Sequence, residues 1–157
     1  MACTCEDALA ALSAHLGLPL RFDDGACSLR IGEQPFTLRC EEGPDRLVLA
    51  ALVADELPDA PGRQLVCDLL DLAFGMLQGG LPAVGRDPDT GFIAAFAQFP
   101  CATLVAAEFP DAFDKFAAFA TALSDRLEAE RDGAAEPPAS DEAPSTPPFG
   151  ANGILPV

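Results

Sequence analysis

The chain contains no tryptophan, no tyrosine and a single histidine, His15. Without the first two, near-ultraviolet absorbance cannot report concentration or purity. With one histidine, any nucleophile–base triad would have to run through His15 alone. No G-x-S-x-G elbow, Walker loop or dinucleotide fingerprint occurs. Gly75, Gly79, Gly80 and Gly85 are too irregularly spaced to cradle a phosphate. No apolar run approaches the length of a membrane span. The N-terminal MACTCEDALAAL has no basic region ahead of an apolar stretch, so no signal peptide is expected and a cytoplasmic location is. Positive charge is scarce: nine Lys and Arg stand against 25 Asp and Glu, a net charge of −16. Residues 132–157 hold Asp132, Glu136, Asp141 and Glu142 with no base, so −4 lies there and −12 on residues 1–131. Such a field repels phosphate backbones and anionic lipid, which argues against nucleic-acid and membrane partners. It keeps a chain that is 50% apolar in solution, and it favours basic partners.

Six cysteines in a cytosolic chain are expected to be reduced. Cys3 and Cys5 form a C-x-C pair near His15. Zinc needs four good ligands and a redox motif needs C-x-x-C before a helix, and neither pattern is complete. Cys27, Cys40 and Cys67 fall at inward-facing or greasy positions, where cysteine packs as a small hydrophobe. Asp87-x-Asp89-x-Gly91 resembles the opening of a calcium loop, but Gln98 stands where the distal Glu belongs, so a turn is the better reading. The acidic pairs Glu41/Glu42 and Glu6/Asp7 read as solvated. No catalytic residue, metal site or cofactor is assigned, and an enzyme is not expected.

The apolar patterns come in an informative order. Thr4, followed three residues on by Asp7, starts a helix in the manner of a capping box. Leu9, Leu12 and Leu16 share one face of it, and Gly17 and Pro19 end it. Leu20 and Phe22 alternate ahead of a turn at Asp23-Asp24-Gly25. Strand-like alternation follows at Cys27, Leu29 and Ile31, then at Phe36, Leu38 and Cys40, and a longer apolar run covers Arg46 to Ala54. Short turns between these runs imply an antiparallel meander. A second helix is predicted from about Gln64 to Gln78. Its polar stripe, Gln64, Asp68, Asp71 and Gln78, is narrow, and apolar residues cover most of its circumference. One face of a sheet needs only about a 100° stripe, so this helix should contact something besides its own sheet. Ala83 to Arg86 and Phe92 to Phe99 form a hairpin around Asp87–Gly91. A third helix, capped by Asp111 and fraying near Arg131, carries Phe109, Phe113, Phe116, Ala120, Leu123 and Leu127 at helical spacing. The domain thus spans residues 1–131. From 132 to 157 a Pro/Ala/acid-rich extension should be disordered unless docked. Its apolar end, PPFGANGILPV, could lie as a placeholder in a binding groove of its own subunit or a neighbour.

This order, α-β-β-β-α-β-β-α, resembles the Tir chaperone (CesT-like) family, the class I chaperones of type III secretion. The segments that carry the resemblance are LGLPLRFDDGACSLRIGEQPFTLRC, LVLAALVADELP, LLDLAF, VGRDPDTGFIAAFAQFP and FDKFAAFATALSDRL, across about residues 6–130. Ala73 departs from an asparagine the family often has after the paired leucines of helix two. The resemblance implies an α+β fold, an antiparallel sheet flanked by three helices, in a homodimer built through helix two. The apolar excess at Leu65, Leu69, Leu72 and Met76 suits such a two-fold contact. It also implies a partner: the extended N-terminal segment of a secreted effector, with the secretion apparatus ATPase as a further candidate. For that segment we expect a sheet edge plus a groove beside helix one, lined by Leu12, Leu16, Leu20, Phe22, Leu29 and Phe36. A non-enzymatic regulatory protein-binding domain of similar fold is the alternative, and a Cys-dependent enzyme a lesser one.

Overall fold

The computed structural model describes residues 3–41, 43, 45–59, 61–75 and 82–135. Its elements run α1 (Cys5–Leu16), β1 (Ala26–Ile31), β2 (Gln34–Glu41), β3 (Arg46–Ala54), α2 (Arg63–Gly75), β4 (Ala83–Arg86), β5 (Ile93–Pro100) and α3 (Phe109–Ala135), with a short 3-10 turn at Ala106–Glu108. The five strands form one antiparallel sheet in the order β1-β2-β3-β5-β4. The predicted α+β architecture and its element order are both present.

Local chemistry sets the ends of α1. The Thr4 hydroxyl accepts the Asp7 N–H at 3.1 Å, and the Asp7 carboxylate accepts the Thr4 N–H at 2.9 Å, a reciprocal capping box. Gly17 closes the helix at φ 65°, a left-handed position that costs other residues more, and Pro19 lies beyond it. Two further turns use the same freedom. Asp24 and Gly25, both at positive φ, reverse the chain between Asp23 and Ala26, which exchange backbone bonds of 2.7 and 3.0 Å. Gly32, at φ 59°, opens the two-residue loop that sets Ile31 opposite Gln34. The Asp87–Gly91 segment is a turn: Asp87 accepts the Asp89 and Gly91 backbone N–H groups, each at 2.9 Å, through its side chain and its carbonyl respectively.

Strand alternation builds the core. Leu47, Leu49, Ala51 and Val53 of β3 are buried and point to one face, while Val48, Ala50 and Leu52 between them are half-buried. Register puts Leu38 and Ala97 on either side of Leu49, and Phe36 and Ala95 on either side of Ala51. Against this row lies α3, whose Phe109, Phe113, Phe116, Ala120, Leu123 and Leu127 are all buried at the predicted spacing. Phe36 stacks against Phe113 and Phe116 at ring separations of 5.5 and 6.3 Å, and Phe99 meets Phe109 edge-on at 5.4 Å. The first helix packs beside α3, and α2 packs against β4.

The third helix departs from expectation at both ends. It begins at Phe109, so Asp111 is not its cap. Asp111 stands in the first turn, where its charge complements the helix dipole. The helix also runs through Arg131 to Ala135. The tail from 136 onward, with its apolar end, lies outside the described residues, as does the Gly79-Gly80 stop expected for helix two.

Truncating Phe36 tests the core. Phe36→Ala should cost about 3–5 kcal/mol in denaturant unfolding, because it removes the ring that α3 grips from two sides.

Candidate functional site

The sequence predicted six groove residues, and the structure divides them. Leu12 and Phe36 are fully enclosed among core residues, Leu12 on the inner face of α1 and Phe36 beneath α3. They are corrected from groove to core: helical and strand periodicity marks the apolar side of an element but cannot say whether another layer covers it. Leu16, Leu20, Phe22 and Leu29 are half-buried and pack against the core from its margin. Along the chain they make a strip of half-buried apolar residues at the core margin, from the end of α1 to β1. Leu18 and Ile31, which the sequence reading left out, stand exposed near the two ends of this strip.

The strip borders an open edge. The strand β1 is the first in the sheet order, and the chain that enters it pairs only through the Asp23–Ala26 bridge. Beyond that bridge no described strand satisfies the outer backbone groups of β1. Such an edge can accept a further strand.

A second apolar surface lies on α2. The surplus expected there is present, but on the other side of the helix. Leu65 is fully buried, and Leu69 and Leu72 are half-buried against the core. Met76 lies outside the described residues. The outward residues are Val66, Leu70 and Phe74, at 38%, 64% and 58% exposure, joined by exposed Cys67 and Ala73. Their i, i+4, i+8 spacing makes a continuous stripe. Asp68, in the polar stripe, is not free in solvent. Its side chain bonds Arg126 of α3 and accepts Gln64 Nε2 at 2.8 Å. An apolar excess tells how much of a helix is greasy but not which part of it the core takes: Leu65, Leu69 and Leu72 meet the core, and Val66, Leu70 and Phe74 stand outward. Cys67, read from sequence as a small hydrophobe at an inward-facing or greasy position, stands exposed on this helix.

The cysteines hold another correction. Cys5 and Cys40 are paired as a disulfide, with Cα atoms 6.0 Å apart, against the expectation of six reduced thiols. The pair is brought together by the packing of α1 on the sheet, which no sequence spacing reveals. His15 does not join the C-x-C pair: its Nε2 meets Asp114 of α3 at 2.9 Å. Arg46 bridges Glu41 at 2.6 Å and donates to Gln98 Oε1 at 2.8 Å, fastening the end of the sheet. Among the described residues no cluster suits a metal ion, and no helix is long and apolar enough to cross a membrane. A cleft of about 610 Å³ opens between the β1–β2 turn, the end of β3 and the second half of α3. None of the six predicted groove residues lines it.

A small helix-flanked sheet with an open edge and two uncovered apolar stripes defines an α+β domain of polypeptide-binding shape. The chain belongs to the Tir chaperone protein (CesT) family, whose model matches residues 7–124. Among solved structures, a chain of the HopA1–SchA chaperone–effector complex is 26% identical, the match covering 81% of this chain and 92% of that one, with a TM-score of 0.58. A chain of the ExsC–ExsE complex is 25% identical over 81% of this chain and 97% of that one, with a TM-score of 0.62. The heterodimeric ExoU–SpcU complex from the type III secretion system of Pseudomonas aeruginosa shares the fold at 16% identity, covering 77% and 98% of the two chains, TM-score 0.60. No curated protein matches the sequence.

The acids that organise these elements set an acid limit. Hydrogen bonds from the Thr4 backbone and hydroxyl hold Asp7 below its ordinary value of 3.8, and hydrogen bonds from Arg126 and Gln64 do the same for Asp68. Groups with depressed folded pKa values stabilise above the unfolded value and lose that contribution as pH falls through the folded one. The thermal midpoint should therefore drop below about pH 4, and Asp68→Asn should shrink the drop in scanning calorimetry between pH 6 and pH 3.

Proposed function

We propose that this protein is a cytoplasmic, non-enzymatic type III secretion chaperone. It binds the extended N-terminal segment of a secreted effector and keeps it soluble and competent for secretion. The observation that carries this reading is the open edge of β1 beside the strip Leu16, Leu20, Phe22 and Leu29. Membership of the CesT family and the fold shared with the HopA1–SchA chaperone–effector complex support it.

An incoming segment would add backbone hydrogen bonds along Ser28–Ile31 and set aliphatic side chains into the strip. Edge pairing is indifferent to side chains and gives affinity, while the strip and exposed Leu18 and Ile31 select apolar ones. The client loses conformational entropy on ordering, which keeps a long wrapped contact reversible. Holding acts by mass action on the unfolded segment and needs no nucleotide. The net charge of −16 raises the encounter rate with basic segments.

The second stripe, Val66, Leu70 and Phe74, is assigned to a second copy of the chain. A two-fold axis would set the stripe against itself, so that each residue meets its mate's helix. On this reading the homodimer contact would lie on the outward face of α2 rather than at Leu65, Leu69 and Leu72, which burial turns toward the core.

Two measurements test the proposal. Affinity capture from the host of origin, followed by mass spectrometry, should return a secreted protein. Hydrogen exchange on the resulting complex should then slow in β1 and in the segment from Leu16 to Phe22. Capture of folded partners alone, with β1 still exchanging freely, would refute the client mode. For the dimer, Leu70→Asp with Phe74→Asp should weaken self-association about a hundredfold or more in analytical ultracentrifugation, since a Leu and a Phe leave the contact. Circular dichroism should stay unchanged. Leu65→Asp should instead unfold the domain.

A further inference from the structure

Four of the six cysteines converge on one place in the fold. Cys3 and Cys5 lie at the start of α1, Cys40 lies near the end of β2, and Cys101 follows β5. Cys5 is bonded to Cys40 across 35 residues of sequence. On its other side the Sγ of Cys5 stands 3.7 Å from the Sγ of Cys101, 96 residues away. Cys101 is fully buried and Cys5 nearly so, whereas Cys3 and Cys40 are half-buried and open the cluster to solvent. Burial, and then the charge of Asp45, push the Cys101 thiol up. Sulfurs packed as inert hydrophobes need no such arrangement. Here one sulfur lies within reach of two others, and each bond it can make ties α1 to a different part of the sheet.

We propose that Cys5, Cys40 and Cys101 form a reversible dithiol–disulfide site for a low-molecular-weight disulfide, with Cys5 as the sulfur shared between two alternative bonds. In the reduced protein, the thiolate of Cys40, the more accessible of the pair, attacks the oxidant's S–S bond. One oxidant thiolate leaves, and Cys40 carries a mixed disulfide. The Cys5 thiolate then attacks the Cys40 sulfur, the Cys5–Cys40 bond forms, and the second oxidant thiolate departs. Two electrons pass from the cysteine pair to the oxidant, and the two thiol protons end on the released thiols. From the oxidised state, Cys101 as thiolate attacks Cys5 Sγ and expels Cys40, which takes up the proton that Cys101 gave. This step moves the bond without net oxidation. The first bond fastens the start of α1 to β2, and the second fastens it to the segment that leads into α3.

The inference is independent of the client and of the dimer, and so is its test. The full-length protein is equilibrated in mixtures of reduced and oxidised glutathione, quenched with an alkylating agent under denaturing conditions, and mapped by peptide mass spectrometry. As the mixture becomes oxidising, Cys5 and Cys40 should lose reactivity together and appear as one linked peptide pair. Cys27 and Cys67 should form no internal bond. Cys40→Ser should move Cys5 into a bond with Cys101, and Cys5→Ala should abolish both bonds. Closing a 35-residue loop should raise the thermal midpoint of the oxidised protein on the order of 10 °C above the reduced one, reversibly. The map of the unsubstituted protein stands even if a variant fails to fold. Alkylation of Cys5 at every glutathione ratio, a bond from Cys5 chiefly to Cys27 or Cys67, or protection of the cluster by zinc ions alone would each overturn the proposal.

Discussion

The seam of phenylalanine rings between α3 and the sheet is the constraint on which the other packing depends. Phe36, Phe99, Phe109, Phe113 and Phe116 come from β2, β5 and α3, and they interlock at centroid distances of 5.4 to 6.3 Å. Rings of this size tolerate few arrangements, so they fix where α3 lies across the central strands. Once α3 is fixed, α1 packs at its side, which closes over Leu12 and leaves Leu16 and Leu20 at the margin. Leu65, Leu69 and Leu72 turn one side of α2 to the core, and Arg126 on α3 reaches Asp68 beside them. The same packing brings the start of α1 to the end of β2, where the sulfurs meet.

The two uncovered apolar surfaces differ in kind. The α2 stripe is a convex helix face with large side chains, and a second helix of the same sequence can interdigitate with it. The strip beside β1 borders free backbone groups, which suits a chain with no structure of its own. On the proposed reading, one surface would take a folded copy and the other an unfolded client. Keeping them at opposite ends of the sheet order, β1 at one edge and β4 with α2 at the other, lets both be occupied at once. The acidic surplus accompanies this arrangement, because exposed apolar stripes in a chain of low net charge would invite indiscriminate association.

The thiol cluster adds a covalent layer to the same geometry. The helix it fastens is the one whose far end supplies Leu16 to the strip proposed for the client. A bond at Cys5 therefore stiffens the element that forms one wall of that strip, whichever of the two sulfurs it joins.

Much of this was legible in the chain. The capping box at Thr4 and Asp7, the Gly17 stop, the turn at Asp87–Gly91 and the buried spacing of α3 are decided by residues within a few positions of each other, and local chemistry acts at that range. The apolar excess of helix two was readable for the same reason. Its direction was not, since which side of the helix meets the core depends on residues far away in sequence: Leu65 is buried, whereas Leu70 and Phe74 are exposed. Nor was the burial of Leu12 and Phe36, which depends on which layer covers an already apolar face. The meeting of Cys5 with Cys40 and Cys101 likewise rests on contacts made only when α1 docks. Sequence by itself determined the ends of the first helix, the turns and the spacing of apolar residues within each element, because those choices are made by neighbours along the chain. Which of that surface is hidden and which is left for a partner was decided by tertiary packing alone, because burial belongs to pairs of elements and not to either one.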